Sequence, residues 1–125
     1  MSESITLTLF AKQSRANFCE VLLTFLEWTQ AHGVRVQTHI PLSSFSVMDS
    51  QMERALTKAY ESVTIKDSPE DALSEASLVC TIGGDGTMLM AAHWVRGSGI
   101  PIVGIHAGNL GFLAHIQAKD LDTAL

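Results

Sequence analysis

The chain has 125 residues, of which 46% are hydrophobic and 17% charged, a composition that favours one ordinary globular domain over a disordered chain. Its formal net charge is −5, and lysine and arginine form no cluster along the sequence. We therefore do not expect nucleic acid or anionic membranes as main partners, since both are recognised through basic patches.

The first predicted elements are a strand, a helix and a second strand. Residues 5–9 alternate apolar side chains with threonine, which is typical of a strand. Apolar residues then recur at helical spacing over residues 18–26. Ser14 is the expected N-cap of this helix and Gly33 its expected stop. Residues 34–40 alternate again and predict another strand.

The second half of the chain carries clearer signals than its middle. Residues 41–67 predict only a short helix, over residues 52–59. The segment "SPEDAL" then predicts a helix that Ser68 caps, that Pro69 begins and in which Asp71 is the third residue. The remaining predicted elements are two strands buried on both faces and the helix between them, at residues 78–82, 100–105 and 87–95.

Strands that alternate with helices are the pattern of an α/β fold with an open, mostly parallel sheet and flanking helices. The last residues, near Asp120, begin another helical pattern that stops at Leu125. We therefore expect residues 1–125 to form an amino-terminal α/β domain that is cut from a longer protein.

The cysteines and the amino terminus predict a cytoplasmic protein. Cys19 and Cys80 lie far apart within apolar patterns, so we expect buried free thiols rather than metal ligands. The amino terminus lacks the features of a secretory signal, and the apolar stretches are too short to cross a bilayer.

A glycine-rich turn, "GGDGT", joins the buried strand at residues 78–82 to the helix after it. It is not a P-loop, because no lysine follows its last glycine, and Leu89 stands where a dinucleotide fingerprint needs a third glycine. A hairpin is disfavoured, because the residues after the turn do not alternate. Its position beside a helix N-terminus favours anion binding. The residues of the turn are Gly83, Gly84, Asp85, Gly86 and Thr87.

Asp85 is unexpected in such a turn, because a carboxylate repels phosphate. It could cap the following helix, with the glycines serving only the sharp bend. It could instead take the proton from a hydroxyl group that attacks a phosphate, or hold a Mg²⁺ ion that bridges carboxylate and phosphate. The sequence leaves these roles open, although two glycines before the aspartate are more than a cap requires.

A second glycine-rich stretch, residues 104–114, follows the next buried strand. Within it Gly108 and Gly111 flank Asn109, and Phe112 follows. If the two strands are neighbours, their loops line one crevice. Phe112 is equally compatible with the core and with contact to a ligand.

The stretches "TIGGDGTMLMAA" and "IPIVGIHAGNLGFLA" together resemble the NAD kinase family, and "LTLFAK" resembles that family's first strand. The resemblance implies a Rossmann-like, phosphofructokinase-like layer. It also implies transfer of a phosphoryl group from ATP, or sometimes polyphosphate, to the 2′-hydroxyl of the adenosine ribose of NAD, with Mg²⁺, to make NADP.

Site residues follow from the same resemblance. It implies that Asp85 is the catalytic base, that Gly86 lines the NAD site and that Phe112 packs near the adenine. The substrate- and cofactor-binding residues expected on this basis are Gly83, Gly84, Asp85, Gly86, Thr87, Gly108, Asn109, Gly111 and Phe112.

The chain departs from the family pattern at His106, where asparagine is usual, and at Ala114, where threonine is usual. Family members also have a second, mostly β domain, so we expect these 125 residues alone to be inactive and the full-length protein to be a homo-oligomer, a dimer or tetramer. Two other hypotheses remain. The first is a kinase of another class that shares the turn, either a lipid kinase of the diacylglycerol or sphingosine type or a sugar kinase. The second is a non-catalytic nucleotide-binding module.

Overall fold

A computed structural model describes residues 5–13 and 17–105. This part of the chain forms parallel strands joined by helices, with one short 3₁₀ helix. In chain order the elements are β1 Thr6–Ala11, α1 Phe18–Ala31, β2 Arg35–Thr38, the 3₁₀ helix Leu42–Ser44, α2 Ser50–Tyr60, β3 Val63–Ile65, α3 Pro69–Leu73, β4 Leu78–Ile82, α4 Asp85–Val95 and β5 Ile102–Ile105.

The described strands form one open sheet in the order β3-β2-β1-β4-β5, and every pair in it is parallel. The central strands β1 and β4 are almost wholly buried, as expected of apolar strands covered on both faces. In their shared register, Leu9 lies opposite Cys80. The predicted α/β fold with a parallel sheet is confirmed.

Two helical layers cover the sheet. Helices α1 and α2 pack on one face over alternate residues of β1 such as Leu7 and Leu9, together with Ile82 of β4. Helices α3 and α4 pack on the other face, where Phe10 and Val79 meet Ala91 of α4. Among the described residues, no helix has the length and apolar character needed to cross a membrane.

A buried polar cluster fastens α3 to the sheet. The Gln37 amide donates to the carbonyl oxygens of Ala72 and Ser74 at 2.7 and 2.8 Å, and the Thr8 hydroxyl also donates to the Ala72 carbonyl. These bonds satisfy carbonyl groups at the end of a short helix, which would otherwise be buried without partners.

The structure corrects three sequence predictions. Strand β3 was not predicted, because its three residues include two exposed ones and it lies at the edge of the sheet. Helix α4 begins at Asp85, two residues before the predicted start. The N-cap of α1 is Asn17, whereas the predicted cap, Ser14, lies outside the described residues.

The cysteines are free, as predicted, but they differ in burial. Cys80 is fully buried in β4, whereas Cys19 on α1 is only partly buried. Burial raises the pKa of Cys80 to about 12, and burial followed by the nearby charge of Glu20 raises the pKa of Cys19. Both thiols therefore stay protonated near neutral pH, and neither has the thiolate character of a nucleophile.

Candidate active site at the carboxyl edge of the sheet

The carboxyl ends of β1 and β4 lie side by side in the middle of the sheet. After β1 the chain passes through α1 to β2 on one side, whereas after β4 it passes through α4 to β5 on the other. Connections that diverge in this way leave a crevice outside the strand ends, where open α/β sheets bind ligands. The turn at residues 83–87 lies at this crevice.

Gly83 is buried and connects the turn to the strands on both sides. Its N–H donates to the Ile105 carbonyl at 3.3 Å. A Cβ atom at Gly83 would lie 2.5 Å from the Thr87 hydroxyl oxygen and 3.2 Å from the Lys12 carbonyl oxygen. Such distances leave no room for a side chain, so the glycine allows the ends of β1, β4 and α4 to meet.

Asp85 is the first residue of α4, and Gly84 holds the N-cap position. The interpretation of Asp85 as the helix cap is therefore wrong, because the cap is a residue without a side chain. Asp85 is half-buried at the start of the helix, where the helix dipole favours a negative charge. The roles of proton acceptor and magnesium ligand remain.

The other residues of the turn divide between its surface and its interior. Gly84 and Gly86 are exposed, and a Cβ atom at either would meet nothing within 4 Å. Thr87 is buried, and its N–H donates to the Gly84 carbonyl at 3.1 Å. Thr87 therefore stabilises the turn from its buried side. Gly84 and Gly86 leave the main chain of the turn open to the crevice.

The two helices that flank the crevice, α1 and α4, begin without a side-chain cap hydrogen bond. In α4, the Gly86 N–H has no acceptor within the described part of the chain. By contrast, the side chain of Asp49 caps α2, and the side chain of Ser68 caps α3. N–H groups left open at a helix start can bind the oxygen atoms of a phosphate.

The second glycine-rich stretch leaves β5, which is the direct neighbour of β4. The two glycine-rich stretches therefore follow adjacent strands, which is the condition for their lining one crevice. The site residues predicted from this stretch lie outside the described residues and stay predictions; they are Gly108, Asn109, Gly111 and Phe112.

Two residues that the sequence analysis missed, Lys12 and Gln13, follow β1 at the crevice. The Lys12 N–H donates to the Ile82 carbonyl at 2.9 Å and extends the β1–β4 pairing by one residue. The Gln13 side chain makes two 2.7 Å hydrogen bonds to the main chain of Ser46, one as donor and one as acceptor. No local pattern marks either residue, because their position depends on strand pairing between distant segments.

His39 follows β2 at the same edge of the sheet. Its ring packs edge-on against Phe10, with the ring centroids 5.5 Å apart. Burial lowers the pKa of His39, so the neutral imidazole is favoured. The Nδ1 atom is buried, and within the described residues it has no hydrogen-bond partner. His39 therefore adds little positive charge to this edge at neutral pH.

A magnesium ion fits this site only if the substrate supplies most of its ligands. Residues 5–13 and 17–105 contain no cluster of three or more His, Cys, Asp or Glu side chains that could hold a metal. Mg²⁺ is ordinarily held by one or two carboxylates together with substrate phosphates and water. One carboxylate, that of Asp85, next to the Gly86 N–H, which has no acceptor among the described residues, is compatible with such a site.

Residues 7–125 match the family model of the ATP-NAD kinase N-terminal domain. The chain belongs to the NAD kinase family. The resemblance drawn from the two glycine-rich stretches is thereby confirmed. A NAD kinase of Flavobacterium johnsoniae is 42% identical over 79 residues, which cover 58% of this chain and 27% of that protein.

Two further relatives give similar values. NAD kinases of Rhodococcus opacus and Mycobacterium tuberculosis are 44% and 38% identical over 63 residues, which cover 50% of this chain and 20% of each relative. The matched part of the chain thus corresponds to between 20% and 27% of the length of these three proteins.

The fold is also similar to that of a solved structure, yeast NADH kinase complexed with NADH. The likeness covers 98% of this chain and 37% of the yeast chain, with a TM-score of 0.68 and 16% sequence identity. At this identity the likeness supports the fold alone, and it agrees with the open parallel sheet described above.

Proposed function

We propose that this chain is the amino-terminal α/β domain of a NAD kinase, which transfers the γ-phosphoryl group of ATP to the 2′-hydroxyl of the adenosine ribose of NAD. One observation carries the proposal beyond family membership. Asp85 begins α4 between the exposed main-chain segments of Gly84 and Gly86, at the crevice between β1 and β4. A carboxylate and an anion-binding turn are thus combined in one short segment.

The 2′-hydroxyl oxygen attacks the γ-phosphorus, and the Asp85 carboxylate accepts the proton that this hydroxyl loses. A new O–P bond forms, the bond between the γ-phosphorus and the bridging oxygen breaks, and ADP leaves with that electron pair. The main chain of Gly84 and Gly86 holds phosphate oxygens, because no side chain covers it. Gly83 and Thr87 fix the shape of the turn.

Mg²⁺ would be held by Asp85 together with phosphate oxygens, and it would supply neutralisation of the phosphate charge. We also propose that the second glycine-rich stretch contributes Gly108, Asn109, Gly111 and Phe112 to substrate binding, as the resemblance to the family implies. We further propose that the complete protein has a second, mostly β domain and works as a cytoplasmic homo-oligomer. On this view the 125 residues alone are inactive.

The first test is Asp85→Asn in the complete protein that contains these residues. We expect kcat for NADP formation to fall by about 10² to 10⁴, because the amide cannot accept the proton. NAD affinity should stay within a few-fold, since the side chain keeps its size. Steady-state kinetics and calorimetric titration with NAD measure the two effects.

The matched control is Asp67→Asn, which changes an exposed carboxylate after β3 at the same edge of the sheet. It should leave kcat unchanged. Near-normal turnover of the Asp85 variant would rule out both of its proposed roles. Phosphorylation of diacylglycerol rather than NAD by the wild-type protein would instead identify a lipid kinase.

A further inference from the structure

Lys12 directly follows β1, and its main chain lies against the glycine-rich turn that follows β4. Its N–H donates to the Ile82 carbonyl at 2.9 Å, and its own carbonyl oxygen is 3.2 Å from the place of a Cβ atom at Gly83. Contacts with β4 and the turn therefore fix the position of the Lys12 main chain, and these contacts do not involve its side chain.

The side chain of Lys12 is exposed on the side of the sheet from which α4 begins. Alternate residues of a strand face opposite sides, and Phe10 belongs to the layer formed with α3 and α4. Lys12 follows Phe10 by two residues in the continued β1–β4 pairing, so it shares that face. Lys12 and Asp85 thus lie on the same side of the sheet, at the same rim of the crevice.

Asp85 contributes a negative charge where a phosphate would bind, so a cationic side chain beside the turn would strengthen phosphate binding in addition to Mg²⁺. Among the described residues that directly follow a strand, Lys12 is the one cation next to β4. His39 follows β2 and favours its neutral form, and Lys66 follows the edge strand β3. At about 4.8 Å between strands, Lys66 lies roughly 14 Å from β4.

We infer that Lys12 binds a non-bridging phosphate oxygen of the phosphoryl donor and positions the transferred group beside Asp85. The inference rests on the proposed function. It assigns Lys12 to the donor rather than to NAD, because the phosphate next to the base must be the one that is transferred. The pyrophosphate of NAD lies on the far side of the ribose from the reacting 2′-hydroxyl.

Lys66 provides a matched control within the chain. It too is the first residue after a strand, and its N–H donates to the Thr38 carbonyl of the neighbouring strand at 2.8 Å. The two lysines therefore share their local structure and differ in whether the crevice adjoins them. Lys12→Ala and Lys66→Ala each remove one positive charge and keep these main-chain bonds.

The experiment compares Lys12→Ala, Lys12→Arg and Lys66→Ala in the complete protein. Calorimetry measures the Kd of ATP, and steady-state kinetics measures the KM values of ATP and NAD. We expect Lys12→Ala to raise the Kd and KM of ATP roughly 10- to 100-fold, the range of a charge-assisted hydrogen bond. The KM of NAD should change less than about threefold, and Lys12→Arg should retain part of the affinity. Lys66→Ala should match wild type.

The inference is overturned if Lys12→Ala leaves ATP binding within twofold, if it raises the KM of NAD instead, or if Lys66→Ala has the same effect. Circular dichroism of each variant shows whether the fold is kept. If Lys12→Ala unfolds, the Kd of ATP is compared between wild type and Lys12→Arg, which keeps the positive charge. NADP formation by the wild-type protein tests the proposed function separately. The ATP titration therefore distinguishes failure of this inference from failure of that function.

Discussion

The carboxyl edge of the sheet has two regions that connect strands to helices in different ways. At β2 and β3, the following helices are closed by their own side chains, with Asp49 capping α2 and Ser68 capping α3. At β1 and β4, the following helices begin without a side-chain cap hydrogen bond, and the N-cap of α4 is Gly84. The uncapped starts both lie beside the crevice between β1 and β4.

The connecting segments differ in the same sense. Between β2 and α2 the chain runs through residues 39–49, which are held by the Gln13 bonds to Ser46 and by a 3.2 Å bond from the Tyr60 hydroxyl to the Ile40 carbonyl. Between β4 and α4 only residues 83–84 intervene. In the first region the helix starts are capped by side chains, whereas in the second the Gly86 N–H has no acceptor among the described residues and a ligand can use it.

The largest expected effect on stability comes from Gly83→Ala. A Cβ atom there would clash with the Thr87 hydroxyl and press on the Lys12 carbonyl, so we expect a loss of about 2–3 kcal/mol in the free energy of unfolding. Gly84→Ala, one residue later, adds a Cβ atom in open space and should change it by less than about 0.5 kcal/mol. Urea unfolding measures both.

Equal losses in the two variants would mean that the turn is not held against β1 in the way described. A normal unfolding free energy for Gly83→Ala would instead mean that the turn loosens to accept the Cβ atom while the fold stays intact. Either result would remove the steric reason for the glycine at this position.

The central strands could be predicted from sequence, but the edge of the sheet could not. Residues 78–82 are apolar except for Thr81, and burial on both faces of a parallel sheet favours such a run. Strand β3 has only Val63 buried, with Thr64 and Ile65 exposed, so its sequence carries no comparable pattern. A short edge strand is specified by its neighbour, β2, more than by its own residues.

The candidate site was also predictable in part. The turn could be located because glycine next to a buried strand is a local signal, and the resemblance to a family gave Asp85 a role. Lys12 could not be found in this way, since the resemblance of "LTLFAK" to the family's first strand gives none of its residues a role in the site. Its position follows from the register that places Ala11 opposite Ile82, which joins segments that are far apart in the chain.

The caps offer a second, smaller test of the comparison. Ser68→Ala and Asp49→Ala each remove a side chain that accepts a main-chain N–H, so each should cost about 1 kcal/mol of unfolding free energy. Asn17→Ala removes no cap hydrogen bond and should cost less than about 0.5 kcal/mol. If Asn17→Ala is as costly as Ser68→Ala, the start of α1 is closed by its own side chain and the contrast fails.

We expect the smallest change in stability for Gly84→Ser, a substitution that should also weaken ATP binding. A serine hydroxyl at the N-cap accepts from N–H groups of the first turn and should stabilise the chain by a few tenths of a kcal/mol. The same hydroxyl would compete with phosphate for the Gly86 N–H, which has no acceptor within the described residues. Gly84→Ser should therefore weaken ATP binding by the complete protein while it strengthens the helix.

The reverse change away from the crevice, Ser68→Gly, is the matched control. It should lower the unfolding free energy by a few tenths of a kcal/mol and leave the Kd of ATP unchanged, because α3 begins at β3 and its cap does not border the crevice. Calorimetric titration with ATP and urea unfolding give the two values for each variant. Unchanged ATP binding in Gly84→Ser, together with the stability gain that shows the cap has formed, would mean that phosphate does not use the N–H groups of α4. The open helix start would then serve the bend between β4 and α4 alone, and Asp85 would act without help from the main chain around it.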